Sequence, residues 1–355
     1  MDNGLLLFIG AIVLLIIIHE FGHFLAAKLF GVEVEEFGLG FPPRAVKLFT
    51  FGGTIYSLNW IPLGGFVRPK GENDPTVPGG LAAANPWVRI AVFAAGPLAN
   101  FLAAIILFAV IFVRAGVPDI SQILIIGVDE NSPAAMAGLQ PGDIITEMNN
   151  DPITSPEKLQ RAVAQNTGKE ALITYLRGDQ TGQTTLTPRE NPPPGEGSMG
   201  ILYSHPTVQV GAFQAIGMGS VALYDQVMQI LTLPGRVIQG TIAPENARLV
   251  GYKGMYDIYQ GFREADVAAT VEEEPSAGLN TLYFFASISI SLGLLNLFPI
   301  PALDGGRIMF ALPEIIFRKR IPQNAENIIN FVSFALLLLL MLYINVQDFV
   351  NPADF

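Results

Sequence analysis

The chain contains no cysteine, so neither a disulfide nor a thiolate metal ligand can form in it. Charged residues are also scarce, at 14% of 355 residues, whereas half of the residues are hydrophobic and the mean hydropathy is +0.43. This balance excludes an ordinary soluble protein and is typical of a polytopic membrane protein. The net charge of −11 gives no basis for nucleic-acid binding.

Four apolar segments are long enough to cross a hydrocarbon core of about 30 Å, which takes about 20 helical residues. They are residues 4–30, 88–113, 280–298 and 328–344. We therefore expect a polytopic α-helical membrane protein with four transmembrane helices.

Positive residues indicate the orientation of these spans. The basic residues of the two short loops, including their edges, are Lys28, Arg44, Lys47, Arg68, Lys70, Arg89, Arg307, Arg318, Lys319 and Arg320. The positive-inside rule places both loops in the cytoplasm and both termini outside. We expect a multi-pass protein of the plasma (inner) membrane whose surroundings are the lipid bilayer.

The long segment between spans two and three is acidic, with 9 Lys and Arg against 19 Asp and Glu in residues 115–279. Within it, β-branched runs and turn signals predict a compact β-rich domain over 122–188, followed by a proline-rich linker. Residues 221–233 are amphipathic, with Tyr224, Val227, Met228 and Leu231 on one face, and predict a surface helix.

The sequence His19-Glu20-Phe21-Gly22-His23 lies at the end of the first apolar span. Residues four apart share a helix face, so His19 and His23 project together as a pair of Zn²⁺ ligands, with Glu20 placed to act on metal-bound water. Such a pattern also recurs by chance. If the hydrocarbon core begins near Leu5, however, His19 lies about 21 Å along a helix that rises 1.5 Å per residue. Ionisable groups at this depth in the membrane usually mark function.

A catalytic zinc needs a third protein ligand. Asp304 follows the apolar third span, and Pro299 and Pro301 forbid a regular helix just before it. Irregular backbone at this depth requires protein or a wet cavity around it. Asp304 is therefore either the third ligand or the cap of a helix that starts after it. Helices one and three run in the same direction, which brings both motifs to the same membrane side.

Taken with "AGPLANF" and "NLFPIPALDGG", these motifs closely resemble the site-2 proteases over nearly the whole chain. This is a family of intramembrane zinc metalloproteases, and the nearest branch is bacterial and carries a PDZ domain. The resemblance implies His19, His23 and Asp304 as zinc ligands and Glu20 as general base. The 242–278 segment matches the family only approximately.

Three further residues match family motifs of the second and third spans. Asn100 fits a G-x-x-x-N element with Gly96, while Asn296 and Pro299 fit an Asn-Pro element. The resemblance implies substrate binding for Asn296, Pro299 and Asn100. Asn296 would orient the substrate backbone or steady the oxyanion. Helix packing is the alternative for both asparagines.

Residues 44–68 predict a cytoplasmic-side, membrane-associated β-hairpin that turns at Gly52-Gly53. An edge strand of such a hairpin could hold an unwound substrate by strand addition, and a purely structural hairpin is the alternative. The extracytoplasmic α+β PDZ domain has two roles open to it, as a binder of a partner's C-terminal peptide or as a size filter. His205 is expected to be an ordinary surface histidine.

The predicted organisation is a first half of the membrane core over 1–114, a PDZ domain over 121–190, a linker with a surface helix over 191–278, and a second half of the core over 279–355. The predicted function is zinc-dependent cleavage of transmembrane segments, as the second cut of regulated intramembrane proteolysis. The alternatives are a catalytically idle PDZ-bearing scaffold and a protease that clears remnant signal peptides.

Overall fold

The computed structural model describes residues 3–243, 247–271 and 277–351. The chain divides into two compact units. One unit comprises Met1–Arg114 with Gly211–Phe355, and the other is Ala115–Val210.

The described helices are α1 Asn3–Leu29, α2 Pro86–Ala115, α3 Pro133–Met136, α4 Pro156–Gln165, α5 Ala212–Ile238, α6 Tyr252–Val271, α7 Leu279–Leu297, α8 Asp304–Phe317 and α9 Gln323–Val350. The described strands are β1 Val34–Phe51, β2 Thr54–Pro69, β3 Val117–Pro118, β4 Ile123–Val128, β5 Asp143–Met148, β6 Asp151–Pro152, β7 Ala171–Arg177, β8 Gln180–Leu186, β9 Ile201–Ser204 and β10 Thr207–Val208.

Four of these helices, α1, α2, α7 and α9, are long and apolar enough to cross a membrane. They coincide with the four predicted spans, which are therefore confirmed. Close approach between α1 and α2 depends on a glycine. A β-carbon built at Gly22 would lie 2.3 Å from the carbonyl oxygen of Ala95. The absence of a side chain at Gly22 thus lets the backbones of α1 and α2 come into contact.

Strands β1 and β2 form the predicted hairpin and turn at Gly52-Gly53. Both glycines have positive φ, at 55° and 80°, as a tight two-residue hairpin turn requires. The hairpin begins at residue 34, about ten residues earlier than 44–68 predicts. The early part of β1, residues 36–39, pairs with both 55–58 and 65–68, so the two strands fold into four paired segments.

A buried carboxylate links the paired segments of this hairpin. Glu36 is 2% exposed and accepts hydrogen bonds from Arg44 at 2.6 and 2.7 Å, from the Ser57 hydroxyl at 2.7 Å and from Arg68 at 3.3 Å. The hydrogen bonds from Arg44, together with the nearby positive charges, hold the pKa of Glu36 below its usual value. A buried charge with this many partners specifies one arrangement of the hairpin segments.

Helix α5 encloses the predicted amphipathic segment 221–233 and extends beyond it at both ends. Val227 packs against the cluster formed by α2 and α7, whereas Tyr224, Met228 and Leu231 remain exposed. The apolar face is therefore divided between a packed side and an exposed side.

Helix α6 is absent from the sequence predictions, and two aspartates fasten it. Asp348 of α9 accepts the backbone N–H groups of Gly251 and Gly254 at the start of α6. Asp266 of α6 accepts the N–H groups of Asn280 and Thr281 at the start of α7. Each carboxylate satisfies helix N-terminal donors that otherwise lack partners.

The second unit is built on an antiparallel sheet in the order β8-β7-β5-β4-β9, with β6 paired to β5. Its core consists mainly of Ile, Leu, Met and Ala side chains from these strands and from α3 and α4. Ser132 and Ser155 cap the two helices by accepting the N–H groups of Ala135 and Lys158. This confirms the predicted α+β domain between spans two and three.

We expect Gly22→Ala to lower the thermal unfolding midpoint, because a methyl group there collides with the Ala95 carbonyl. Overpacking of this kind costs about 1–3 kcal/mol. Gly10→Ala is the matched control on the same helix, since a β-carbon at Gly10 meets nothing within 4 Å. Thermal unfolding of the detergent-solubilised variants measures both, and equal midpoints for them would contradict the packing described.

Candidate metal centre

Two imidazole nitrogens and one carboxylate oxygen converge inside the unit that contains the four apolar helices. His19 and His23 are 7% and 9% exposed, and their Nε2 atoms lie 3.1 Å apart. Asp304 Oδ2 lies 3.1 Å from His19 Nε2 and 3.3 Å from His23 Nε2. The structure thus brings together the three predicted ligands from two separate parts of the chain.

The spacing of these atoms fits a zinc ion. With Zn–N and Zn–O distances near 2.1 Å, ligand atoms at the corners of a tetrahedron lie about 3.4 Å apart. The three observed separations, 3.1, 3.1 and 3.3 Å, are close to that edge. Three protein ligands leave the fourth corner for water, as in catalytic zinc sites.

The other ring nitrogens of the histidines also have partners. His23 Nδ1 donates to the carbonyl oxygen of Val92 at 2.8 Å, which fixes Nε2 as the ligand atom. His19 Nδ1 lies 3.2 Å from the side-chain amide of Asn100, whose Oδ1 has no hydrogen-bond partner. A 180° rotation of this amide gives the His19 Nδ1–H an acceptor and satisfies Oδ1 at once.

Asp304 reaches the histidines through an irregular loop of residues 298–303. Glycine at 305 and 306 lets the first turn of α8 press against this loop, since β-carbons there would lie 2.2 and 2.4 Å from the carbonyl oxygens of Phe298 and Ile300. The residue that caps α8 is Leu303, without a side-chain hydrogen bond. The carboxylate of Asp304 therefore faces the imidazoles and does not act as the helix cap.

Helix α2 lies directly against the imidazoles at Gly96. A β-carbon at this position would lie 2.3 Å from His23 Nε2 and 2.9 Å from His19 Cε1. Any side chain here would displace the rings, so the glycine of the G-x-x-x-N element makes room for the two imidazoles.

Glu20 lies between the two histidines in sequence and lines the same cavity. Its Oε2 accepts the backbone N–H of Val67 in β2 at 3.0 Å. The hydrogen bond from β2 thus holds the Glu20 carboxylate at the cavity that His19, His23 and Asp304 also line.

A cavity of about 480 Å³ opens onto these groups. Its lining includes His19, Glu20, His23, residues 65–69, Asn296, Asp304 and Arg307. Asn296 thus lies at the cavity, with its amide donating to the carbonyl oxygen of Leu292 at 2.9 Å. Asn100 is fully buried beneath His19, and Pro299 lies exposed on the loop before Asp304.

Ionic contacts that the sequence predictions did not include fasten α8, the helix that carries Asp304. Arg307 pairs with Glu72, and Glu314 pairs with Arg89. Arg320, just after α8, donates to the carbonyl oxygen of Ala82 at 2.6 Å. The partners are more than 220 residues apart in the chain, so spacing offers no signal for them.

Comparison with known proteins extends these observations to nearly the whole chain. The model of peptidase family M50 matches residues 7–340. A putative zinc metalloprotease of Clostridium perfringens is 31% identical, covering 95% of this chain and 96% of that protein. The zinc metalloprotease RasP of Shouchella clausii is 30% identical and the regulator of sigma-W protease RasP of Bacillus subtilis is 27% identical, each covering 98% of both chains.

Among solved structures, the PDZ domain of the SdrC-like protein from Listeria monocytogenes matches with 24% identity and a TM-score of 0.21. The match covers 23% of this chain and 87% of that chain.

The predicted family, enzyme class and cofactor are confirmed by the family match and by relatives of nearly equal extent. The protein is a multi-pass membrane protein with a separate unit, Ala115–Val210, built on an antiparallel sheet. The chain belongs to peptidase family M50, the site-2 proteases, and is an intramembrane zinc metalloprotease of the RasP type.

Proposed function

We propose that His19, His23 and Asp304 hold the catalytic zinc and that the enzyme uses it to cut transmembrane segments of membrane proteins. The observation that carries this proposal is the convergence of two Nε2 atoms and one carboxylate oxygen at tetrahedral spacing. Bound zinc supplies an acidic water and an electrophile for the peptide carbonyl.

Glu20 is the general base in this proposal. It lines the cavity beside the ligands, takes a proton from the attacking water and returns it to the leaving amine as the peptide C–N bond breaks. The Val67 N–H keeps the carboxylate at the cavity wall. Asn296 orients the substrate backbone through the side-chain oxygen or the second amide N–H. Asn100 acts through His19, by fixing its ring.

The substrate must be extended, because helical hydrogen bonds otherwise shield its peptide bonds. We assign the clamp to residues 65–69, which form an edge of the folded hairpin and line the cavity. The opposite edge, residues 44–51, carries exposed apolar side chains at Val46, Phe49 and Phe51. That edge suits immersion in the lipid, which would place the hairpin in the membrane interface.

Orientation and biological role complete the proposal. Lys28 lies in the last turn of α1, and Arg318, Lys319 and Arg320 follow α8 directly. The positive-inside rule favours the cytoplasm for these residues, and the outside for both termini and the PDZ-like domain. The Bacillus subtilis relative is named as the regulator of sigma-W protease RasP, which favours the second cut of regulated intramembrane proteolysis over general peptide clearance. A peptide partner of the PDZ-like domain would pair with β8 or β9, the described edges of its sheet.

We expect Asp304→Asn to bind zinc much more weakly, because a neutral amide is a poor zinc ligand. Asparagine caps a helix as well as aspartate does, so a capping role would survive this change. Asp348→Asn, at a carboxylate that does cap a helix, is the matched control. Zinc content of the purified proteins is the measurement, and a full complement of zinc in Asp304→Asn would refute the assigned ligand.

Glu20→Gln should keep one zinc per chain while cleavage of a model transmembrane substrate falls by about 10²–10⁴-fold, the usual contribution of a general base. Zinc content and cleavage are measured on the same preparation. Undiminished cleavage at full zinc content would assign the proton transfer to another group, and the idle-scaffold alternative predicts no cleavage even by the native chain.

A cysteine placed at Arg68 should form a disulfide with a single-cysteine substrate, because this position lies on the proposed clamp and lines the cavity. The chain has no cysteine of its own, so each introduced thiol is unique. Lys47→Cys, exposed on the opposite edge of the hairpin, is the control. Both are made in the Glu20→Gln background to retain the substrate, and equal cross-linking at the two edges would contradict the clamp.

A further inference from the structure

In the loop that precedes Asp304, one backbone N–H group finds its hydrogen-bond acceptor on a distant helix. Two of its six residues, Pro299 and Pro301, have no N–H group. The N–H groups of Phe298, Ile300 and Leu303 donate to carbonyl oxygens of residues 295, 298 and 300. The fourth, that of Ala302, donates to the side-chain oxygen of Asn330 at 3.1 Å.

Ala302 is also the strained residue of this loop. Its φ is +77°, a left-handed conformation that favours glycine and that an alanine adopts only where the surroundings hold it. It lies two residues before Asp304. A change in its backbone angles therefore moves the carboxylate relative to His19 and His23.

Asn330 stands in the apolar span of α9. None of the 18-residue apolar window of this helix is buried in the protein, and its neighbours Ile329 and Phe331 are 41% and 73% exposed. Asn330 itself is half-buried. A polar side chain in such a segment carries an energetic cost unless it is paired, and here the partner is the Ala302 N–H.

We propose that Asn330 is a positioning residue for the metal centre. By accepting the Ala302 N–H, it holds the loop in its left-handed turn and so holds the Asp304 carboxylate at ligand distance from the histidines. The inference rests on Asp304 being a zinc ligand. It assigns to α9 a direct part in zinc affinity, although α9 contributes no ligand.

The test is the zinc affinity of purified full-length variants, measured by competition with a chromogenic chelator. Asn330→Ala should weaken zinc binding about 10-fold, the lower end of the effect of removing a group that orients a ligand. Asn327→Ala is the matched control, since Asn327 lies one turn earlier on α9, is exposed and contacts Gln323. An affinity for Asn330→Ala equal to that of Asn327→Ala would overturn the proposal.

A second substitution distinguishes positioning from a general loss of structure. Glycine adopts positive φ without strain, so Ala302→Gly should restore a large part of the affinity lost in Asn330→Ala. A merely structural role for Asn330 predicts no such rescue, because the glycine adds no contact for α9. Absence of rescue would therefore count against the proposal.

The same assay separates this inference from the assignment of the metal ligands. Asp304→Asn is measured beside the α9 variants. If Asp304→Asn keeps the native affinity, the proposed metal site itself fails. If Asp304→Asn loses zinc and Asn330→Ala does not, the ligand assignment stands and only the role of Asn330 is refuted.

Discussion

The structure depends on bringing two imidazoles and one carboxylate within about 3.3 Å of one another among apolar helices. Burying a carboxylate carries a desolvation cost that a nearby positive charge must offset. A divalent metal ion held by these groups would supply that charge. In the unit that contains the apolar helices, α1 carries His19 and His23 one turn apart, and Asp304 stands at the start of α8, directly after the α7–α8 loop.

A ligand contributed by a distant part of the chain must be held against thermal displacement. For α8, one ion pair reaches the loop between the hairpin and α2, Arg307–Glu72, and another reaches α2 itself, Glu314–Arg89. Buried or half-buried pairs of this kind add little net stability, but removing one partner is costly, so they specify one position of the helix. The hydrogen bond from the Ala302 N–H to the Asn330 side chain holds the 298–303 loop that precedes α8. The position of Asp304 thus depends on contacts from the loop before α2, from α2 and from α9.

The sequence predicts what local periodicity controls. The four spans, the His19–His23 pair and the Gly52-Gly53 turn follow from apolar runs, helical spacing and turn chemistry. The sequence pattern predicts the start of the hairpin about ten residues too late, because glycines and prolines between 38 and 43 interrupt the alternation of a strand. Helix α6 was missed because its polar composition obscures the face that packs on α7. The hydrogen bonds that join Val67 to Glu20, Val92 to His23 and Asn330 to Ala302 could not be predicted. Each involves a backbone N–H or carbonyl group, which leaves no pattern in the sequence, and each joins distant segments.

Gly96 has a consequence for the geometry of the reaction. Because residue 96 has no side chain, the α2 backbone occupies one side of the imidazole pair. In the proposed clamp the scissile bond enters along residues 65–69 of β2, which line the cavity. A substrate paired with that edge would have one backbone direction, so each scissile carbonyl would present the same prochiral face to the nucleophile at every turnover.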